Sequence, residues 1–357
     1  MRAYKTRRAR HDKAMGMWIV LIALFLWGCG ARPARHDGIA EALARGDAPK
    51  TTSVLAMRGG QVEYEQYFAG ATPETLHDTR SATKSLTALA VGIAIERHAL
   101  PGLDAPAFAY LADLAPFAHD EPGKAAITIE DLLTMSSALD CNDDDEASPG
   151  NEENMYPKEV WGRWAVDLPV RAGYQRDASG RGPWHYCTAG VFLLGQIVQR
   201  AAQQPIDRFM AEHLFAPLGI TRWEFSRSPS GEIMTGGGLR LRTRDLAAIA
   251  RLVLAHGRAG EGQVVPAAFV DAALKVHREA MPEQHYGYLF WTRVYQTPCG
   301  AHTGWFMGGN GGNAVVMFPA LDAAVVVTRT NYNMRGMHQQ TTHLIEDAIL
   351  PMLACRR

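Results

Sequence analysis

Ser81-Ala82-Thr83-Lys84-Ser85-Leu86-Thr87-Ala88-Leu89-Ala90-Val91-Gly92-Ile93-Ala94-Ile95 is the stretch on which the reading of this chain turns. Nothing from Ser85 to Ile95 is charged, and Leu86, Leu89, Ala90 and Ile93 recur at helical spacing. The pattern predicts a helix over 81–97, buried on most sides. A spacing of three residues puts Ser81 and Lys84 on one face of its first turn. A serine hydroxyl is a weak nucleophile at neutral pH unless a neighbour takes its proton. Lysine does this when burial or a nearby cation disfavours its charged form. A buried helix supplies the first condition.

Two other stretches fit the same chemistry. Tyr186 lies in Gly182-Pro183-Trp184-His185-Tyr186-Cys187-Thr188, where a loop meets an apolar helix predicted over 189–203. A tyrosine at such a corner leans into a cleft, and its phenol shuttles protons if a lysine nearby lowers its pKa. Gly308-Gly309-Asn310-Gly311-Gly312-Asn313 precedes a strand. Its glycines let backbone approach a ligand closely. A strand N–H facing Ser81 would complete an oxyanion hole. As a phosphate loop the segment fails, because no Gly-Lys-Ser/Thr follows and no helix opens there.

Working outward, a short helix is predicted over 39–44. A β-hairpin follows from 51–57, the turn Arg58-Gly59-Gly60, and 61–68. Residues 101–122 read as mostly irregular. Thr128 with Asp131 reads as a capping pair ahead of Leu132-Leu133. Residues 141–169, polar and acidic, read as a long surface insertion. Within it, Asn142-Asp143-Asp144-Asp145-Glu146 lacks the glycine and distal glutamate of a calcium loop. It reads as solvated, at the rim of the cleft. Further helices are predicted over 206–215, 244–256 with Thr243 as cap, 266–276 and 338–353. Strands are predicted over 286–295, 313–318 and 323–328, the last apolar on both faces as in a central strand. Strands thus lie at both ends of the chain and helices in the middle. The economical α+β solution is an α/β sandwich: one antiparallel sheet built from both chain ends, flanked by helices, with an inserted, mostly helical lobe.

The composition agrees with a globular enzyme. Of 357 residues, 47% are hydrophobic and 20% charged, which excludes fibrous and disordered classes. The 36 basic and 37 acidic residues give no field for a nucleic-acid partner. The 13 histidines are scattered, with no HExxH, and there is no CxxC. No metal and no cofactor is expected. Trp161, Trp164, Trp184 and Trp305 read as core or rim packing.

In this order, the pieces resemble the serine β-lactamase-related hydrolases: class C β-lactamases, D-alanyl-D-alanine carboxypeptidases and esterases of that superfamily. Supporting stretches are Thr128 to Ser137, Tyr186 to Gly195, Gly236-Gly237-Gly238-Leu239 before Thr243-Arg244-Asp245-Leu246-Ala247, and Asn310-Gly311-Gly312 before Phe318-Pro319. The resemblance covers residues 51–353. It implies a β-lactamase/transpeptidase-like fold, Ser81 as acylated nucleophile, Lys84 as its proton acceptor and Tyr186 as acid/base. It also implies an oxyanion hole from the backbone N–H groups of Ser81 and Asn310, flanked by Gly309 and Gly311. Two positions depart from the family. Its Tyr-x-Asn box is Tyr186-Cys187-Thr188 here, which makes Thr188 the expected substrate-binding side chain in place of the asparagine, and its Lys-Thr-Gly box is missing. His302-Thr303-Gly304 mimics that third box, but 307–310 is the better strand to face Ser81. Without that lysine, esters, amides or small peptides are better acyl substrates than β-lactams. The alternative is a penicillin-binding sensor or a catalytically degenerate lipoprotein of the same fold.

The start of the chain reads as an address. Arg2, Lys5, Arg7, Arg8, Arg10 and Lys13 precede an apolar run from Met17 to Trp27. That run is short for a bilayer span and suits a signal peptide over 1–28. Leu26-Trp27-Gly28-Cys29 resembles a bacterial lipobox, with Trp27 as a departure, and makes Cys29 the expected lipidation site. Residues 29–50 would then tether the body to the periplasmic side of a bacterial membrane. An uncleaved signal anchor is the alternative. Cys141, Cys187, Cys299 and Cys355 remain, with three possible pairings in an oxidising compartment. Cys141–Cys187 is the preferred pair, and free buried thiols are the alternative.

Overall fold

Every residue of Ala323–Arg329 is buried, so this strand lies in the middle of the sheet. The protein was analysed as a computed structural model that describes residues 37–355. Its main sheet has eight strands: β1 (Thr51–Arg58), β2 (Gln61–Tyr67), β3 (Arg278–Met281), β4 (Gln284–Tyr286), β5 (Trp291–Thr297), β6 (Gly300–Gly309), β7 (Asn313–Phe318) and β8 (Ala323–Arg329). Their spatial order is β2-β1-β8-β7-β6-β5-β4-β3, and all neighbours run antiparallel. The amino-terminal hairpin therefore closes on the last strand, with Val54 opposite Val327 and Met57 opposite Ala324. Both chain ends build one sheet, as the strand distribution predicts.

The pleat sends alternate residues to opposite faces. Leu55, Met57, Met307, Val315, Met317 and Val326 join the larger core, with the helices of residues 83–254. Val54, Ala56, Val316, Val325 and Val327 join the smaller one, under helix Asp37–Arg45 and the carboxy-terminal helical run 337–354. Each fully buried side chain of this size contributes roughly 1.5–3 kcal/mol. Two cores on one sheet make the fold a three-layer α/β sandwich.

Several expectations need correction. Residues 286–295 do not form one strand. Leu289 donates its N–H to the Leu133 carbonyl at 3.0 Å, and its own carbonyl accepts from Ser85 Oγ. The chain dips to brace the helix Thr83–Glu96, and the strand is cut into β4 and β5. Thr243 does not cap its helix. Arg242 holds that position, with Asp245 reaching back to its N–H at 3.2 Å, while the Thr243 hydroxyl meets Ser53 Oγ at 2.6 Å. Residues 141–169 are not wholly surface, because Met155, Trp161, Ala165 and Val166 are buried in the lobe core. The irregular stretch 101–122 contains a 3-10 run, Ala107–Leu114, that buries Phe108 and Leu111. Cys141–Cys187 and Cys299–Cys355 are both disulfides. The expected signal peptide 1–28, Cys29 and the first part of the tether lie outside the described residues. Among the described residues no helix is long and apolar enough to cross a membrane.

Candidate active site

Ser81 lies in a 3-10 turn, Arg80–Ala82, that runs into helix Thr83–Glu96. Arg80 sits at φ 49°, in the left-handed region that non-glycine residues seldom adopt. Such a conformation costs on the order of 1–3 kcal/mol and persists only where the surroundings over-determine it. Here they do. Asp78 Oδ1 accepts the Arg80 N–H at 2.9 Å, and the Arg80 guanidinium pairs with Asp78 at 3.2 Å. That guanidinium also lies 4.1 Å from the Tyr332 ring centre. The Arg80 carbonyl accepts the Thr83 hydroxyl at 2.7 Å. The backbone strain thus stands immediately before Ser81.

Lys84 is 1% exposed, one helical turn on. Its Nζ donates to Ser81 Oγ at 3.1 Å and to the Gly236 carbonyl at 2.6 Å. The segment carrying Gly236 is itself fastened to the helix, since Thr87 Oγ1 donates to the Thr235 carbonyl at 2.7 Å. Lys84 Nζ also lies 4.8 Å from the centre of the Tyr186 ring. Ser81, Lys84 and Tyr186 therefore come together. The Tyr186 ring stands among Trp184 and Trp291, at centroid distances of 6.2 and 5.7 Å. Burial pushes the Tyr186 phenol pKa up, while the Lys84 charge and a hydrogen bond from Ser81 pull it down and do not win. The expectation of a lysine-lowered phenol is corrected accordingly: this phenol stays protonated at neutral pH.

The acidic loop behaves differently from its reading as a solvated rim. Asp144, Asp145 and Glu146 are exposed and Asp143 is part-buried; Asp143 and Asp144 both line the cleft, as does Glu152. Asp143 Oδ2 accepts the Thr188 N–H at 2.7 Å. Burial pushes its carboxyl up to about 6, against the charge of Lys84 and the hydrogen bonds from Thr188. Sequence reasoning missed Asp143, although a signal existed. Pairing Cys141 with Cys187 brings a residue two after one cysteine to the residues on either side of the other. Thr188 does not reach the cleft wall; it is fully buried behind the corner.

The glycine-rich segment forms the end of β6 and the turn into β7. A Cβ on Gly309 would sit 2.3 Å from the Thr79 carbonyl oxygen, so only glycine lets this strand end press on the chain before Ser81. Gly311 and Gly312 reverse the chain at φ 90° and 83°. The Asn310 side chain is bound to Asn333, accepting its N–H at 2.8 Å, and the Asn310 carbonyl accepts from Asn313 Nδ2 at 2.8 Å. His302-Thr303-Gly304 lies at the other end of the same strand, with His302 opposite Tyr295. Seven residues of strand put it roughly 20 Å from Gly309. The end of β6 and the turn after it, residues 307–310, and not His302, lie beside the chain that carries Ser81.

These groups face a cleft of about 430 Å³. Ser81, Tyr186, Asp143, Gly309 and Asn310 line one part, and Trp291, Arg293 and Phe306 another. Trp291 and Arg293 lie in a strand whose reading carried no chemical signal. A larger cavity of about 660 Å³ opens at the sheet edge, on Glu283, His285, Thr303 and Glu346, and Ser81 is not on its wall. Among the described residues no group of three or more His, Cys, Asp or Glu side chains is placed to hold a metal ion.

Comparison with known proteins bears on the family and the fold. A 6-aminohexanoate-dimer hydrolase from Paenarthrobacter ureafaciens is 28% identical over 268 residues. The match takes in 73% of this chain and 65% of the relative, so the chain spans just under two thirds of that protein's length. A D-stereospecific amidohydrolase from Streptomyces sp. superposes with a TM-score of 0.65 at 16% identity, covering 91% of this chain and 99% of that one. A penicillin-binding protein from Bacillus halodurans gives 0.62 at 16% identity, with 86% and 98% covered. Both likenesses show a shared fold. The family model described as Beta-lactamase matches residues 39–348, from the first helix of the described chain into its carboxy-terminal helical run. By the extent of that match, the chain belongs to the beta-lactamase family.

Proposed function

We propose that this protein is a serine hydrolase that opens esters, amides or small peptide-like bonds through an acyl-enzyme on Ser81. The observation that carries the reading is the pair of Lys84 contacts: Nζ at 3.1 Å from Ser81 Oγ and 4.8 Å from the Tyr186 ring centre. As Oγ attacks the substrate carbonyl carbon, its proton passes to Lys84 Nζ. The carbonyl oxygen becomes an oxyanion held by the backbone N–H groups of Ser81 and Asn310. The protonated phenol of Tyr186 gives its proton to the leaving nitrogen or oxygen, and the Lys84 ammonium restores it. Water then attacks the acyl-Ser81 carbonyl, Lys84 takes its proton and returns it to Ser81 Oγ as the acyl bond breaks, and the acid leaves. The relative's name adds the 6-aminohexanoate dimer to the candidate substrates.

A turnover screen tests this: short-chain p-nitrophenyl esters, the linear 6-aminohexanoate dimer, D-amino-acid dipeptides and a chromogenic cephalosporin. Wild-type turnover of an ester or amide, absent from Ser81→Ala, is the expected result. Equal turnover by Ser81→Ala would sink the reading. An adduct on Ser81 that forms and never hydrolyses would favour the sensor instead.

Export belongs to the same proposal. The basic and apolar pattern of 1–28 and the lipobox-like Cys29 support it, as do two disulfides, which persist in oxidising compartments. Metabolic labelling with a radioactive fatty acid should mark the wild type and not Cys29→Ala. Equal labelling of both would remove the lipid anchor.

A further inference from the structure

We propose that Asp143 is a positioning residue of this site: its carboxylate fixes the Tyr186–Thr188 corner over Lys84 and supplies the counter-charge to the Lys84 ammonium. The inference rests on the hydrolase reading above and adds a residue to it.

The geometry is a grip on both sides of Cys187, the residue that follows Tyr186. Asp143 N–H donates to the Tyr186 carbonyl at 2.8 Å, and Asp143 Oδ2 accepts the Thr188 N–H at 2.7 Å. Between those two bonds the Cys141–Cys187 disulfide joins the same segments covalently. The loop is also closed on itself. Asp143 Oδ1 accepts the Glu152 N–H at 3.0 Å, and Asn151 Nδ2 donates to the Asp143 carbonyl at 3.0 Å. Asp143 is no remote anchor, because it shares the cleft wall with Ser81 and Tyr186.

The charge argument is independent of the bonds. The charged and titratable groups facing Asp143 are Lys84 from the helix, Tyr186 from the corner, and Asp144, Glu152 and Tyr156 from its own segment. Lys84 is the one cation in that set. It is 1% exposed, and its two hydrogen bonds go to a hydroxyl and a carbonyl, both neutral. A buried ammonium without a counter-charge is costly. The Asp143 charge reaches it through space.

Stability and charge pull in opposite directions here. A carboxylate that merely anchored backbone N–H groups would be held below its usual range. Asp143 is pushed up to about 6 because burial outweighs those bonds. A carboxyl raised in the folded state favours folding below its unfolded value near 4, and that contribution is lost as pH rises through 6. Above pH 6 the ionised form is carried at a cost to stability. Charges kept in a cleft at such a cost mark function rather than structure.

The test compares wild type, Asp143→Asn and Ser81→Ala on a p-nitrophenyl ester from pH 5 to 9, with Tm measured at each pH. Wild-type kcat should fall along an acid limb with its midpoint near 6. Asp143→Asn should lower kcat about tenfold at pH 7.5 with KM within about twofold, and lose that limb. Wild-type kcat with the limb in place overturns the proposal. So does a kcat loss that merely tracks a fall in Tm. Should the variant not fold, the wild type decides alone, since a kcat flat from pH 8 to 5 overturns the proposal. Turnover in Ser81→Ala would instead remove the hydrolase reading. An inactive Ser81→Ala beside an indifferent Asp143→Asn removes only this inference.

Discussion

Lys84 Nζ donates to Ser81 Oγ at 3.1 Å while its shorter bond, 2.6 Å, goes to the Gly236 carbonyl. The second bond aims the first. It fixes the amine against a segment that Thr235 and Leu239 tie to the helix, so the amine cannot swing away from the hydroxyl. Lys84→Met keeps the aliphatic stem in its buried slot and removes the proton acceptor. It should lower kcat roughly a hundred- to ten-thousand-fold on an ester substrate with little change in Tm. A variant within about threefold of wild type would show that Ser81 is activated by another group.

Tyr186→Phe keeps the ring among Trp184 and Trp291 and removes the hydroxyl. Because burial holds the phenol protonated, the loss should fall on kcat, by about a hundredfold, with KM nearly unchanged. Substrates with a good leaving group need less protonation and should suffer less. The check is kcat for a p-nitrophenyl ester against an alkyl ester of the same acid. Equal losses on both would mean that Tyr186 packs the cleft and moves no proton.

Gly309 presses against the Thr79 carbonyl, and a methyl group there would stand 2.3 Å from it. Gly309→Ala must move the strand end away from Ser81. It should cost about 1–3 kcal/mol of stability and most of kcat. Urea unfolding and single-turnover acylation give the two readouts. Acylation at the wild-type rate would disconnect this strand from the chemistry.

The two disulfides should separate stability from activity. They close loops of similar size, with sequence separations of 46 and 56. The chain-entropy argument assigns each about 4 kcal/mol. Replacing either pair with serines should lower Tm. Only loss of Cys141–Cys187, next to Tyr186, should also lower kcat measured well below Tm. Equal kcat for both double variants would show that the corner holds without its cross-link.

His77 is buried, with Nδ1 at 3.2 Å from the hydroxyls of Thr52 and Thr328. Burial pushes its pKa down from 6.5 to about 4. The unfolded chain therefore binds a proton that the folded one refuses, and stability falls as pH drops from about 6.5 towards 4. At pH 4.5 the penalty is about 2–3 kcal/mol, and His77→Gln should remove most of it. Urea unfolding of both proteins at pH 7.5 and 4.5 measures the difference. An identical pH response would acquit His77.

Periodicity and spacing alone determined much of this protein. The uncharged run after Lys84 could only be a buried helix, and burial at 1% exposure is what a helix without a polar face requires. The apolar strand predicted over 323–328 reads as central, and the strand-rich ends of the chain had to meet to pair it. Ser81, Lys84, Tyr186 and the Gly308–Gly312 turn were visible because each carries a local signature. Tertiary structure alone decided the rest. Asp143 reads as one acid in a solvated run; which one meets the Thr188 N–H depends on a disulfide to a residue 46 positions away. Thr188 reads as a cleft residue, yet its helix start is drawn behind the corner by the same carboxylate. The cut between β4 and β5 follows from hydrogen bonds to Ser85 and Leu133, which no window of neighbouring residues contains. The pKa directions of Tyr186 and Asp143 follow from burial, a property of the folded surroundings and not of the side chain. Local pattern sets which elements form and which groups are reactive; contacts between distant segments set where those groups point and what charge they carry.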